Sequence, residues 1–147
     1  MKTMSMENSN DNKYIMIDHL HRMFKLLIEI KSKLYPMAVA LDINNRLIIN
    51  IDIKIDDQPS SEEMIRRYDK KLNKMLEKKK IQSYCIAVDT IASKEPNSKE
   101  IDTIAFMIKN DHEKQAEVIY LSYILNKNGN FEVIDIWKDK RTYTAVN

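Results

Sequence analysis

The chain has 147 residues, 44% of them hydrophobic and 31% charged, with a formal net charge of +2. That length gives one domain with its own core and leaves little room for a second, and so small a net charge does not by itself require a polyanionic partner. No apolar run approaches the roughly 18–20 residues of a membrane span, and the polar start MKTMSMENSNDN lacks the apolar core of a signal peptide, so neither membrane insertion nor export is expected.

Residues 1–12 read as a disordered polar tail. From Tyr14 to about Leu34 the period is helical, with Ile17, Leu20, Phe24, Leu27 and Ile28 on one face and Asp18, Arg22, Lys25, Glu29 and Lys33 opposite. Met23, Leu26 and Ile30 widen the apolar arc past half the circumference, which predicts contact with a second helix or another subunit. Pro36 is the expected stop. A hairpin follows: a first strand over Met37–Ile43, a two-residue turn at Asn44–Asn45, and a second strand in which Leu47, Ile49, Ile51, Ile53 and Ile55 alternate with more polar neighbours.

Ser60 and Glu63 form a capping box that opens a second helix running to about Lys79, with Ile65, Tyr68, Leu72, Met75 and Leu76 as its buried stripe. Four strands complete the domain: Gln82–Ile91, Ile101–Lys109, Ala116–Leu125 and Phe131–Trp137. Residues 139–147 form a C-terminal tail without a clear period. The links between strands are too short for parallel crossovers, except the one that carries the second helix. The expected fold is therefore α+β: a mostly antiparallel sheet of five or six strands, order α-β-β-α-β-β-β-β, spanning residues 13–138, with two helices on one face.

The most charged stretch is RRYDKKLNKMLEKKK, where eight basic residues stand against Asp69 and Glu77. On the helical wheel Arg66, Arg67, Lys70, Lys71, Lys74 and Lys78 all lie opposite Ile65, Leu72 and Leu76, so a solvated face accounts for them. Nucleic-acid or anion binding through the basic face of the helix at 61–80 is the alternative. No aromatic residue stands on that side to stack bases, which makes nucleic acid the weaker partner.

Catalytic groups are sparse. The lone glycine, Gly129, rules out glycine-rich phosphate loops. The lone cysteine, Cys85, rules out an internal disulfide, fits a reducing cytoplasm, and sits mid-strand as a small core residue. His19 and His21 point in different directions from their helix and His112 lies in a turn, so no metal set forms. Asp89 and Asp102, near the ends of neighbouring strands, could approach each other across a hairpin as a carboxylate dyad, although solvent-facing strand ends account for them equally simply. No cofactor, metal or catalytic residue is expected, and an enzyme is disfavoured.

The surplus apolar surface is more informative. Thr103, Ala105 and Met107 alternate with Ile104, Phe106 and Ile108, and Val118, Tyr120 and Ser122 with Ile119, Leu121 and Tyr123. With both helices on one side, the first set would face outward as a partner surface made of Ala105, Met107, Val118, Tyr120 and Trp137.

The stretches LYPMAVALD and EIDTIAFMIKNDHEKQAEVIYLSYIL are similar to a loose group of small uncharacterised bacterial proteins. In that group a helix leads into an (F/Y)-P-(F/M)-A strand entry, and a D-(A/T)-I strand precedes V-x-Y-L-x-Y. Ser122 stands here where the pattern has proline. The resemblance implies an α+β fold and a bacterial setting, and it carries over no catalytic residue. The element order also resembles that of roadblock-type and profilin-like domains, an analogy of fold alone. The expected function is a non-catalytic interaction protein, adaptor- or toxin-immunity-like, cytoplasmic and self-associating as a homodimer. The alternatives are the basic helix face and the carboxylate pair.

Overall fold

The computed structural model describes residues 12–55, 59–113 and 115–139. The elements are α1 (Lys13–Glu29), β1 (Met37–Asp42), β2 (Leu47–Ile48), α2 (Ser61–Glu77), β3 (Ile81–Ala92), β4 (Ile101–Asn110), β5 (Glu117–Leu125) and β6 (Phe131–Lys138). They build the expected α+β domain around one sheet of order β2-β1-β3-β4-β5-β6, in which every neighbouring pair is antiparallel. The connection through α2 passes over β1 to reach β3, and β3 to β6 follow one another as a meander. The expected tails over 1–12 and 139–147 lie outside the described residues, apart from Asn12 and Asp139.

The two helices lie on opposite faces of the sheet, not on one face as the sequence suggested. Met16, Leu20, Phe24 and Ile28 of α1 form one core with Val39, Leu41, Cys85, Ala87, Ile104, Phe106, Ile108, Ile119, Leu121 and Tyr123. Leu72 and Leu76 of α2 form another with Ala38, Ala40, Tyr84, Ile86, Ala105, Met107 and Val118. The two sets are the two alternating parities of the same strands. Side chains of both parities are apolar along β1, β3, β4 and β5, so each side of the sheet must be covered, and one helix serves each. Tyr84 anchors α2 from the sheet, its buried hydroxyl donating to Asp69 Oδ1 at 2.6 Å.

Element ends follow local chemistry. α1 stops well before Pro36, because Lys31 turns left-handed (φ 56°) and the N–H groups of Lys31 and Ser32 bond back to the carbonyls of Ile28 and Leu27. α2 begins as expected: Ser60 Oγ accepts from the Glu63 N–H at 3.1 Å. Four residues, 43–46, separate β1 from β2, where a two-residue turn was expected. Asp42 Oδ1 accepts from the N–H groups of Asn44 (2.8 Å) and Arg46 (2.9 Å), and Asn45 takes the positive φ of 63°.

The second hairpin strand is cut short. Only Leu47 and Ile48 pair with β1; beyond them the chain leaves the ladder, Ile51 joins the core under α2, and Lys71 donates to the Asp52 carbonyl. Ile49 and Ile55, expected on the inward side of that strand, are exposed. Two bulges adjust the register. One at Gln82 turns Ile81 onto the α2 side, where it joins that core. The other, at Ile134, lies between the Ser122↔Asp135 and Tyr123↔Val133 pairs.

Glu117 ties three elements together. Its carboxylate, 14% exposed, accepts from Lys13 at the start of α1 (3.0 Å) and from Lys138 at the end of β6 (3.2 Å). Burial pushes its pKa up, but the hydrogen bonds and charges of Lys13 and Lys138 outweigh burial and hold it below the ordinary 4.5. A depressed acid stabilises the fold above its ordinary pKa, and that stability is lost as pH falls through the folded-state value. Glu117→Gln is therefore expected to cost about 1–2 kcal/mol at neutral pH. Denaturant unfolding at pH 7 and at pH 3 checks this: the gap between wild type and variant should shrink on acidification.

Candidate functional site

The surface predicted on β4, β5 and β6 is not an open one. Ala105, Met107 and Val118 are 6%, 7% and 3% exposed, so the expectation that they face outward is corrected. They share the core beneath α2. Tyr120 and Trp137 are half-buried and stack on each other with ring centroids 5.4 Å apart. Ser93, Lys94, Glu95 and Pro96 of the β3–β4 loop face this pair across a cleft of about 860 Å³, and Lys94 is held to Asp135 of β6 at 3.0 Å.

The hydrogen-bond partner of Asp89 is Tyr123, and Asp102 stands two residues off its register. Asp89 on β3 and Asp102 on β4 are close enough for their charges to interact, and the Tyr123 hydroxyl donates to Asp89 Oδ1 at 2.7 Å. Asp89 is half-buried and Asp102 exposed. Burial raises the Asp89 pKa, the Tyr123 hydrogen bond lowers it, and Asp102 raises it again, for a net value above the ordinary 3.8. Burial and the neighbouring Asp89 carboxylate push the Tyr123 phenol upward, so it remains protonated as the donor. The cleft beside Tyr120 and Trp137 is not lined by these residues.

The remaining reactive side chains are placed for structure. Cys85 is completely buried and its thiol is pushed up by that burial, which keeps it from forming a thiolate. His21 packs against Phe131 at 5.6 Å, and its Nε2 is buried without a hydrogen-bond partner. Burial lowers its pKa, the Asp18 charge opposes that, and Lys25 and Arg22 reinforce it, so the site favours the neutral ring. His112 is exposed beside Asp111 (3.1 Å) and Glu113 (3.8 Å). Among the described residues no group of three or more His, Cys, Asp or Glu could hold a metal ion.

Two other surfaces stand out. The first is the outer side of α1. At 100° per residue, Ile15, His19, Met23, Leu26 and Ile30 fall within an arc of about 80°, next to the buried arc of Met16, Leu20, Phe24 and Ile28. Ile15, Met23, Leu26 and Ile30 are 42%, 37%, 55% and 64% exposed. The contact predicted for this overly apolar side is not made by the second helix, which lies across the sheet. The charged residues, with Asp18 and Arg22 ion-paired, keep to a separate arc.

The second is a groove of about 780 Å³ between α2 and the chain at 52–54, lined by Ile53, by the cations Lys54, Arg66, Arg67, Lys70, Lys71 and Lys74, and by the acids Asp52 and Glu63. Arg67 is committed to Glu63 at 2.7 Å and Lys71 to the Asp52 carbonyl. Sequence periodicity exposed the basic side of the helix but not this concavity, which exists because residues after Ile48 leave the sheet and run beside α2.

For Asp89 the sign of the pH effect is fixed by its raised pKa. Between the ordinary 3.8 and the higher folded value the native state binds the extra proton, so its contribution to stability falls as pH rises. Asp89→Asn, which still accepts from Tyr123, should gain on wild type in thermal unfolding between pH 3 and pH 7. A difference that does not change with pH would show that the carboxylate carries no burial penalty.

No protein-family model, curated protein or solved structure matches this chain.

Proposed function

We propose that the protein is a non-catalytic interaction module of the cytoplasm that pairs with a second copy of itself through the outer side of α1. The observation that carries this reading is the row Ile15, Met23, Leu26 and Ile30: four large apolar side chains, each more than a third exposed, on one side of one helix. Scattered apolar residues are ordinary on a surface, but a row at helical spacing is the form of a helix–helix seam.

The row is also self-complementary. In an antiparallel pair of α1 helices with the two-fold axis between Arg22 and Met23, Ile15 meets Ile30 of the other copy and His19 meets Leu26. Its border carries both signs, Asp18 and Glu29 against Arg22 and Lys25, so a second copy meets no field of one charge. Half-burial of each apolar side chain is worth roughly 1 kcal/mol, which suits a weak, concentration-dependent dimer. The support for a cytoplasmic setting is the lone, buried Cys85.

Sedimentation velocity over a concentration series tests the proposal. The wild-type coefficient should rise with concentration toward a dimer, while Leu26→Asp with Ile30→Asp should stay monomeric with an unchanged circular dichroism spectrum. A wild type that remains monomeric at the highest soluble concentration refutes it, as does a double variant that still dimerises.

A further inference from the structure

We infer that the groove between α2 and residues 52–54 binds a short chain of linked phosphates. This reading is independent of the α1 seam, which lies across the sheet from α2. Arg66, Lys70 and Lys74 follow one another at i, i+4 and i+8, about 6 Å apart along the helix, so their positions form a row of about 12 Å, with the side-chain stems bordering the groove. None of the three is engaged in a hydrogen bond or ion pair among the described residues, whereas Arg67 and Lys71 are held by Glu63 and the Asp52 carbonyl. Among the described residues, the groove therefore has two tethered cations, Arg67 and Lys71, beside three whose charged ends have no partner there, against the two acids Asp52 and Glu63.

A solvated helix face accounts for lysines on a convex surface but not for the opposite wall. Lys54 lines the groove from the segment facing α2, so cations stand on both sides of the concavity. Like charges gathered around a concave surface repel one another and focus a positive potential there, and a multivalent anion offsets both. Linked phosphates place several negative charges along a line, as the cations require.

The lining also says what is not read. Among the described residues no aromatic side chain lines the groove, so bases have no stacking platform there and a single nucleic-acid strand would be held by its phosphates alone. The groove, about 780 Å³, is open to solvent, so a bound chain would lie along it rather than be enclosed. The phosphate chain could be inorganic polyphosphate or the triphosphate arm of a nucleotide.

Isothermal titration calorimetry on the full chain at low salt tests the inference, with inorganic tripolyphosphate, adenosine triphosphate, orthophosphate and a single-stranded oligonucleotide as titrants. Tripolyphosphate should bind more tightly than orthophosphate. Lys70→Glu with Lys74→Glu should weaken it by about tenfold or more, with an unchanged circular dichroism spectrum. Lys78→Glu with Lys80→Glu, which removes basic charge outside the groove, should leave binding nearly unaltered. Equal affinity for adenosine triphosphate and tripolyphosphate would assign the groove to the inorganic chain, and tighter binding of adenosine triphosphate to the nucleotide arm. Absence of tripolyphosphate binding, binding of the oligonucleotide alone, or equal weakening by both pairs of substitutions would overturn it.

Discussion

The architecture rests on one constraint: the central strands are apolar on both sides. Along β1, β3, β4 and β5, side chains of each parity are buried, and water must be kept from both faces at once. A sheet of this kind cannot be finished by one layer of helix. α1 covers one side and α2 the other, and the path of the chain follows from that need, with the link after β2 passing over β1 to bring α2 onto the second face.

Much of this was legible from residue spacing. The elements, their order and the antiparallel pairing follow from periods of 3.6 and 2 and from the shortness of the strand links. The placement of the helices did not follow. The doubled burial was present in the sequence, in Thr103, Ala105 and Met107 set against Ile104, Phe106 and Ile108, but periodicity says only that two faces differ, not which element covers each. Taking both helices to one side made Ala105, Met107 and Val118 look like an outward surface. The run from Leu47 to Ile55 misled for a related reason. Its alternation is real, but a strand needs a partner, and β1 pairs with only Leu47 and Ile48. The early end of α1 depends on a left-handed Lys31, which no rule of composition assigns to lysine.

The two candidate surfaces differ in how they were visible. The excess apolar width of α1 was plain on a helical wheel, and it persists as an exposed row because the second helix is spent on the far side of the sheet. The cations of α2 were equally plain, but their convergence with Lys54 depends on a stretch of chain that gives up strand pairing. Tyr123 reaches Asp89 across β4 because the antiparallel register of β3, β4 and β5 brings their positions near each other, a proximity that follows from strand order.

The bulge at Ile134 bears on how the molecule avoids its own kind in the wrong way. β6 closes the order of strands at one end, and a long outermost strand can template the addition of strands from other chains into growing assemblies. Here the extra residue breaks the even rhythm of the backbone, and Glu132, Asp135 and Lys138 set charges along the same strand. At the opposite end, β2 is only two residues long and offers almost no template. Both margins of the sheet thus resist runaway stacking.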